Sequence, residues 1–223
     1  MNILLIVPCF NDNYHLKKLL NCKTFKGFNG KIEILVIDDG SNESLSNEGI
    51  GINFKLIRNN INKGKGYSLR KGFAYALENN YTHAITMDAD LQHDPKYINK
   101  FISIDKNIDI VIGSRKFDSA MPLSRRFSNK VTSFIVSVLS SKKIYDSQSG
   151  YRRYKLDSSP FKHCIEDGFQ FESEILIDTL KQKQAALSHI QIPTLYNNEK
   201  SSINNVVDTY KFIKLIIRKI LGR

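Results

Sequence analysis

Short runs rich in isoleucine and valine, each running into acidic or turn residues, constrain this chain more than any other feature. "ILLIVP" (3–8), "IEILVIDD" (32–39), "FKLIRN" (54–59), "AITMDAD" (84–90) and "DIVIGSR" (109–115) are of this kind, the pattern of strands buried on both faces of a parallel sheet. "YHLKKLLNC", "SLRKGFAYALENN" and "KYINKFISI" lie between them with helical spacing. Strand, helix, strand in repetition predicts an α/β fold, an open and mostly parallel Rossmann-like sheet flanked by helices. Ligands of such sheets bind outside the carboxyl ends of the strands. That rule gathers 8–12, 38–41, 88–92 and 113–115 along one edge.

The second half departs from this alternation. "SRRFSNKVTSFIVSVLSS" and "FQFESEILIDTLKQK" read as helices, "ALSHIQIPTLY" as a strand, and 206–221 as a terminal amphipathic helix. No internal repeat is present, and "NNEKSSINN" is the most loop-like segment. One domain over 1–202 with an extension over 203–223 is the economical reading. A chain of 223 residues, 41% hydrophobic, can build a substantial core. "FIVSVL" is too short to span a bilayer, and "MNILLIVPCF" lacks a basic leader and reads as a buried strand. Three cysteines without CxxC spacing suggest neither a disulfide framework nor a zinc site, and fit a reducing cytosol. Lys and Arg outnumber Asp and Glu by 33 to 22, a net charge of +11, so the expected partner is anionic: a nucleotide, a nucleic acid or a membrane surface.

"MDADLQHDP" carries the densest chemistry. Asp88 and Asp90 lie two apart at an expected strand end, where extended backbone would put both on one face. Paired carboxylates call for a cation between them, and a hard ion such as Mg²⁺ or Mn²⁺ takes oxygen ligands and bridges to phosphates. Gln92 can add a carbonyl oxygen. His93 is expected behind the site or at the surface, and Asp94 before Pro95 to cap the next helix. "VIDDGSN" offers Asp38 and Asp39 either to a base and ribose or to a tight turn. "NKGKGYSLRKG" sets glycines and bases, Lys65 among them, before and within a helix. Such a loop can turn backbone N–H groups toward a phosphate, although it lacks the Walker and dinucleotide-binding spacings. Taken singly, each motif serves structure as readily as function.

In combination and order, "VPCFND", "VIDDGSNE", "NKGKGYSLRKG", "MDADLQHDP", "IGSRKF", "SRRFSN" and "DSQSGYRRY" resemble the family 2 glycosyltransferases of the GT-A fold, in particular the dolichyl- and polyprenyl-phosphate sugar transferases. The resemblance runs strongly to about residue 154 and more loosely through "GFQFESEIL" and "IPTLYNNEKSSINN". It implies a GT-A catalytic domain over 1–202. It places Pro8, Phe10 and Asp12 in the nucleotide pocket, Asp38 and Asp39 on base and ribose, and Lys65 and Ala89 against the donor. Asp88, Asp90 and Gln92 would hold Mg²⁺ or Mn²⁺ with the donor diphosphate. Arg115 and Arg126 would face donor or acceptor phosphates, and Asp146, Ser149, Gly150 and Arg152 would shape the acceptor side. The family usually has Tyr and Glu where Phe10 and Asp12 stand. Many relatives also place an Arg shortly after the "IP" strand, where this chain offers only Lys200.

The implied reaction is a single displacement with inversion, moving a hexose from a nucleotide-diphosphate sugar of the GDP-mannose or UDP-glucose type to a lipid phosphate. A hydroxyl acceptor would need a general base, for which Asp146 is the candidate; a phosphate acceptor arrives ionised and needs cations instead. A glycan or other non-lipid acceptor is the alternative within the family. Nucleic-acid binding would use the charge but leaves the acidic strand ends without a purpose, and no RNP, KH or zinc-finger pattern is present. In the tail, Val206, Tyr210, Ile213, Ile217, Ile220 and Leu221 form one helical stripe, with Phe212 and Ile216 widening it and Lys211, Lys214, Arg218 and Lys219 flanking. That stripe suits an anionic membrane surface, docking on the domain itself, or a second copy. Basic flank, terminal position and family resemblance favour the membrane, and with it peripheral attachment on the cytoplasmic face.

Overall fold

The strands are β1 (Ile3–Cys9), β2 (Glu33–Asp38), β3 (Lys55–Arg58), β4 (His83–Thr86), β5 (Ile110–Arg115), β6 (Arg152–Lys155) and β7 (Leu187–Ile192), and the helices are α1 (Asn13–Leu20), α2 (Lys23–Gly27), α3 (Lys65–Glu78), α4 (Ile98–Ser103), α5 (Leu123–Ser140), α6 (Phe171–Leu180) and α7 (Asn205–Ile220). This is a computed structural model, and it describes residues 1–28, 32–45, 48–117, 121–195 and 205–222. The seven strands form one sheet in the order β3-β2-β1-β4-β6-β5-β7. Every neighbouring pair is parallel except those made by β6, which runs antiparallel to both β4 and β5. The mostly parallel α/β architecture expected from the sequence is therefore present.

Successive residues of a strand face opposite sides, and the two sides carry separate cores. Leu4, Ile6, Leu35 and Ile37 meet α3, α5 and α6 through Phe73, Val136, Phe171 and Ile175. Leu5, Val7, Ile34 and Val36 meet α1, α2 and α4 through Leu16, Phe25 and Phe101. Because both faces are covered, β1 and β2 are apolar along nearly their whole length rather than alternating.

β6 is the strand that periodicity misses, because its sequence is RRYK. Both arginines are nevertheless buried. Arg153 turns toward α4 and donates to the carbonyls of Phe101, Ile104 and Asp105 at 2.8, 2.7 and 2.6 Å, satisfying groups at and just beyond the helix end. Arg152 turns the other way, toward α6.

α7 lies on the α3–α6 side. Leu215 is fully buried, and Phe212 and Ile216 pack on that core. Arg218 pairs with Glu166 and Glu174 at 2.9 and 2.6 Å, and Lys219 with Asp178 at 2.6 Å. This corrects part of the expected stripe: Phe212 and Ile216 belong to the docked face, and Arg218 and Lys219 are committed to the protein's own carboxylates. No helix among the described residues is long and apolar enough to cross a membrane.

Candidate active site

After β3 the chain crosses from one side of β1 to the other, so β1 and β4, adjacent in the sheet, send their following loops apart. Ligands of such sheets bind outside the carboxyl ends at this switch point. The end of β1 brings half-buried Pro8, and the loop after it exposed Phe10 and Asp12, whose Oδ1 lies 2.6 Å from His15 Nδ1. The loop after β4 brings the acidic cluster. β4 ends at Thr86, so Asp88 and Asp90 stand in a loop and not on a shared strand face. Leu91 there adopts a left-handed conformation with φ 59°, and the Gln92 N–H donates to Asp90 Oδ1 at 3.0 Å.

Asp88 is held from three sides. Lys65 Nζ lies 2.6 Å from its Oδ1 and 3.0 Å from Glu172 Oε2, so one ammonium bridges two carboxylates. Gly150 closes over them: a Cβ there would come within 2.5 Å of Asp88 Oδ2, 2.8 Å of Lys65 Nζ and 3.0 Å of Glu172 Oε1. Burial would raise the Asp88 carboxyl, but Lys65, with His93 and Arg115 behind it, outweighs that effect and keeps its pKa below the usual value. For Lys65, burial is likewise outweighed by Asp88 and Glu172, and its pKa is raised. Behind Asp88 sits His93, buried and stacked on Tyr151, with its Nδ1 accepting the Asp88 N–H at 3.3 Å. Burial in this cationic setting drives its pKa down to about 4, so it is neutral near pH 7.

The other acidic strand end divides its labour. Asp39 is consumed by structure: Oδ1 accepts from Asn59 Nδ2 at 2.7 Å and the Lys63 N–H at 3.1 Å, and Oδ2 accepts the Gly64 N–H at 2.7 Å. Asp38 accepts the Ser41 N–H at 2.9 Å on Oδ1, while its buried Oδ2 makes no hydrogen bond and has Arg58 at 3.2 Å, close enough to pair but not aligned to donate. The glycine-bearing loop also differs from the phosphate cradle expected of it. Gly64 has φ 99° and its Cα abuts the Asp167 carbonyl, and the Tyr67 N–H donates to that same oxygen at 3.1 Å. The glycines let α3 begin against the segment before α6, and Lys65 is the loop's contribution to the site.

Arg115 ends β5 and grips Asp146. Nε and Nη2 donate to Oδ2 and Oδ1 at 2.7 and 3.0 Å, and the Arg115 N–H adds a bond at 3.2 Å. Asp146 is fully buried. Arg126 stands in the first turns of α5 with its Nε buried and unpartnered among the described residues. Arg152, expected among acceptor contacts, is instead a clamp: fully buried, it donates to the carbonyls of Ser149, Glu172 and Ser147 at 2.8, 2.5 and 2.7 Å. Ser149 is buried beneath that clamp, and Thr86 Oγ1 pins the Gly150 carbonyl at 2.8 Å. Ala89 is buried in the core on the α1–α4 side. Lys200 lies outside the described residues.

Asp88, Asp90 and Gln92 offer only oxygen atoms, the ligands a hard divalent ion takes, and Asp88 is held ionised with Lys65 on one of its oxygens. Glu172, which the motifs did not single out, has Oε1 buried without a partner at this same place. A second group of potential ligands, Cys164, Glu174 and Asp178, lies under α7, but Arg218 and Lys219 already occupy those carboxylates. All three cysteines are free. Burial pushes the Cys9 thiol up to about 12, so it is no thiolate nucleophile.

A mostly parallel sheet with acidic and cationic groups gathered at its switch point is the frame of a GT-A fold, and the chain is a glycosyltransferase. It belongs to the family described as Glycosyl transferase family 2, whose model matches residues 4–178. It is 31% identical to an uncharacterized protein of Methanocaldococcus jannaschii over 98% of this chain and 92% of that one. To the UDP-N-acetylglucosamine–dolichyl-phosphate N-acetylglucosaminyltransferase of Methanococcus voltae it is 29% identical, over 97% and 96% of the two chains. To the undecaprenyl-phosphate mannosyltransferase of Micrococcus luteus it is 25% identical, over 71% and 68%. The fold is shared with glucosyl-3-phosphoglycerate synthase of Mycobacterium tuberculosis solved with Mn²⁺, UDP and phosphoglyceric acid, at TM-score 0.73 and 14% identity over 99% of this chain and 77% of that one.

Proposed function

We propose that this chain transfers a hexose from a nucleotide-diphosphate sugar to a polyprenyl phosphate, with inversion at the anomeric carbon. The observation that carries the acceptor assignment is the state of Asp146. A hydroxyl acceptor needs a base, yet both oxygens of Asp146 are committed to Arg115. A phosphate acceptor needs no base and does need cations, and Arg115 and Arg126 supply them. Relatives named for transfer to dolichyl and undecaprenyl phosphate support the same reading.

In this mechanism a phosphate oxygen attacks the anomeric carbon, the bond to the donor diphosphate breaks, and the nucleoside diphosphate leaves with the electron pair; no proton has to move. Asp88, Asp90 and Gln92 would hold Mg²⁺ or Mn²⁺, which supplies charge neutralisation at the departing diphosphate. Lys65 fixes Asp88 and adds positive charge beside it, while Pro8, Phe10, Asp12 and Asp38 line the place of the nucleoside, over Ala89. Asp146 acts as a positioning residue that locks the Arg115 fork. Glu172, with one oxygen on Lys65 and the other unpartnered, is placed to accept from a sugar hydroxyl. The enzyme works on the cytoplasmic face of a membrane, held there through the outer stripe of α7.

A donor screen tests this: UDP-glucose, UDP-N-acetylglucosamine and GDP-mannose, each with Mn²⁺ or Mg²⁺, against a short-chain polyprenyl phosphate, a free glycan and 3-phosphoglycerate. Product on the polyprenyl phosphate, lost in excess EDTA and in Asp90→Asn, is expected. Product on either other acceptor alone would replace the lipid assignment, and full activity in EDTA would remove the ion.

A further inference from the structure

Two helices carry rows of large apolar side chains that nothing among the described residues covers. On α5, Leu123, Phe127, Val131, Phe134 and Val138 are 40 to 76% exposed; at 100° per residue all five fall within an arc of about 80°, and the row is roughly 23 Å long. The opposite side of the helix is sealed by buried Ser133, Val136 and Ser140. α7 repeats the design: Leu215 is buried, while Val206, Tyr210, Ile213, Ile217 and Ile220, on the other side, are 51 to 79% exposed. Both helices pack on the same core, so both rows leave the protein on the α3–α6 side of the sheet. Scattered exposed apolar residues need no explanation, but continuous rows of this size mark a surface that meets something.

We propose that the α5 row is a docking face for an anionic lipid bilayer, on the same side of the sheet as the outer row of α7. Charge identifies the occupant. From Met121 to Tyr145 there is no acidic residue, while Arg125, Arg126, Lys130, Lys142 and Lys143 are all basic. Lys130 falls about 20° outside the apolar arc, and Lys142 and Lys143 are exposed just past the helix end. On α7 the exposed Lys211 and Lys214 flank the row, and the helix's acidic residue, Asp208, is bonded inward by Gln170 at 3.1 Å. An apolar row with a basic rim fits acyl chains beneath anionic headgroups. A second copy would set two basic rims against each other, which is unfavourable.

The row also follows a site residue closely along the chain. α5 follows the loop after Arg115, and Arg126, with its unpartnered Nε, lies in the first turns of the helix. Resting on the polyprenyl-phosphate reading, this seats the bilayer where an acceptor can bring its phosphate to both arginines while its chain stays in the membrane.

The test compares the full chain with a Phe127→Gln, Phe134→Gln double variant, both positions being exposed and outside the core. Co-sedimentation is measured with vesicles of phosphatidylcholine alone and with phosphatidylglycerol added, alongside solution mass and Mn²⁺-dependent binding of UDP and GDP. The parent chain should partition onto the anionic vesicles, and the variant at least about tenfold more weakly, with nucleotide binding and circular dichroism unchanged. Equal partitioning of the two chains, or no vesicle binding by the parent, overturns the proposal. A parent dimer that the variant dissociates without loss of vesicle binding also overturns it and assigns the row to a second copy. Absence of nucleotide binding in the parent would instead strike the transferase reading and leave the docking result to stand on its own.

Discussion

Gly150→Ala isolates the carboxylate cluster without touching a charged residue. The added methyl carbon would sit 2.5 Å from Asp88 Oδ2, whereas ordinary contact begins near 3.4 Å, so the Asp88 oxygen has to retreat by about 0.9 Å unless the loop gives way. The loop is constrained, since Thr86 and Arg152 hold the carbonyls of Gly150 and Ser149. Metal–ligand distances tolerate only about ±0.2 Å, so a displacement of this size removes Asp88 as a ligand while leaving its charge in place. Disturbing the support of a ligand typically costs about 10- to 100-fold in metal affinity, or roughly 1.4 to 2.7 kcal/mol. The fold should survive, because the colliding atoms are the ends of side chains; overpacking of this kind costs about 1–3 kcal/mol. Titration calorimetry of UDP and GDP, each with and without MnCl₂, reads the effect directly. Gly27→Ala is the control, because nothing lies within 4 Å of a Cβ there. Metal-dependent nucleotide binding as tight in Gly150→Ala as in the parent chain would refute the placement of Asp88 at the metal and diphosphate.

Asp146→Asn should lower kcat by at least about tenfold with nucleotide affinity changed less than about twofold, since it unlocks Arg115 on the acceptor side; an equal loss in nucleotide affinity, by calorimetry, would move the pair into the donor pocket. Arg218→Ala should destabilise the chain by roughly 2–3 kcal/mol in urea unfolding, because it strips one partner from a Glu174 that is 1% exposed; a change below about 0.5 kcal/mol would show that this ion pair does not hold α7 to the domain. His93 has a folded pKa near 4, below its ordinary 6.5, so the unfolded chain binds the extra proton first. Its contribution to stability is intact above about pH 6.5 and falls away as pH drops toward 4, by at most about 3 kcal/mol. Urea unfolding of the metal-free protein across that window should show a shallower slope in His93→Gln, and an unchanged slope would place the titration elsewhere.

The sheet was legible because parallel strands covered on both faces must be apolar throughout. "ILLIVP" and "IEILVIDD" needed no partner to declare themselves, and where such strands end in acids the binding edge is declared as well. The same logic passed over β6, whose arginines are buried not by apolar character but by backbone carbonyls, those of Phe101, Ile104 and Glu172 from distant segments and those of Ser147 and Ser149 from the loop just before the strand. The length of α2, five residues, gave too few turns for a period to register.

Which motif residues meet a ligand and which brace the loops depends on where each side chain's partners lie, and those partners are remote in sequence. "DDGSN" makes Asp38 and Asp39 look equivalent, yet only a loop some 25 residues on consumes both oxygens of Asp39. Lys65 and Glu172 are 107 residues apart and meet on Asp88. Arg115 and Asp146 are separated by 31 and become one unit. The tail stripe was plain from its spacing, but a helix with apolar residues on two faces does not say which one docks; the carboxylates of Glu166, Glu174 and Asp178 decided that by capturing Arg218 and Lys219. Periodicity records burial, a local property repeated along an element. Hydrogen bonds and ion pairs act over about 3 Å, so only the folded chain, by setting remote residues within that range, fixes what each polar group does.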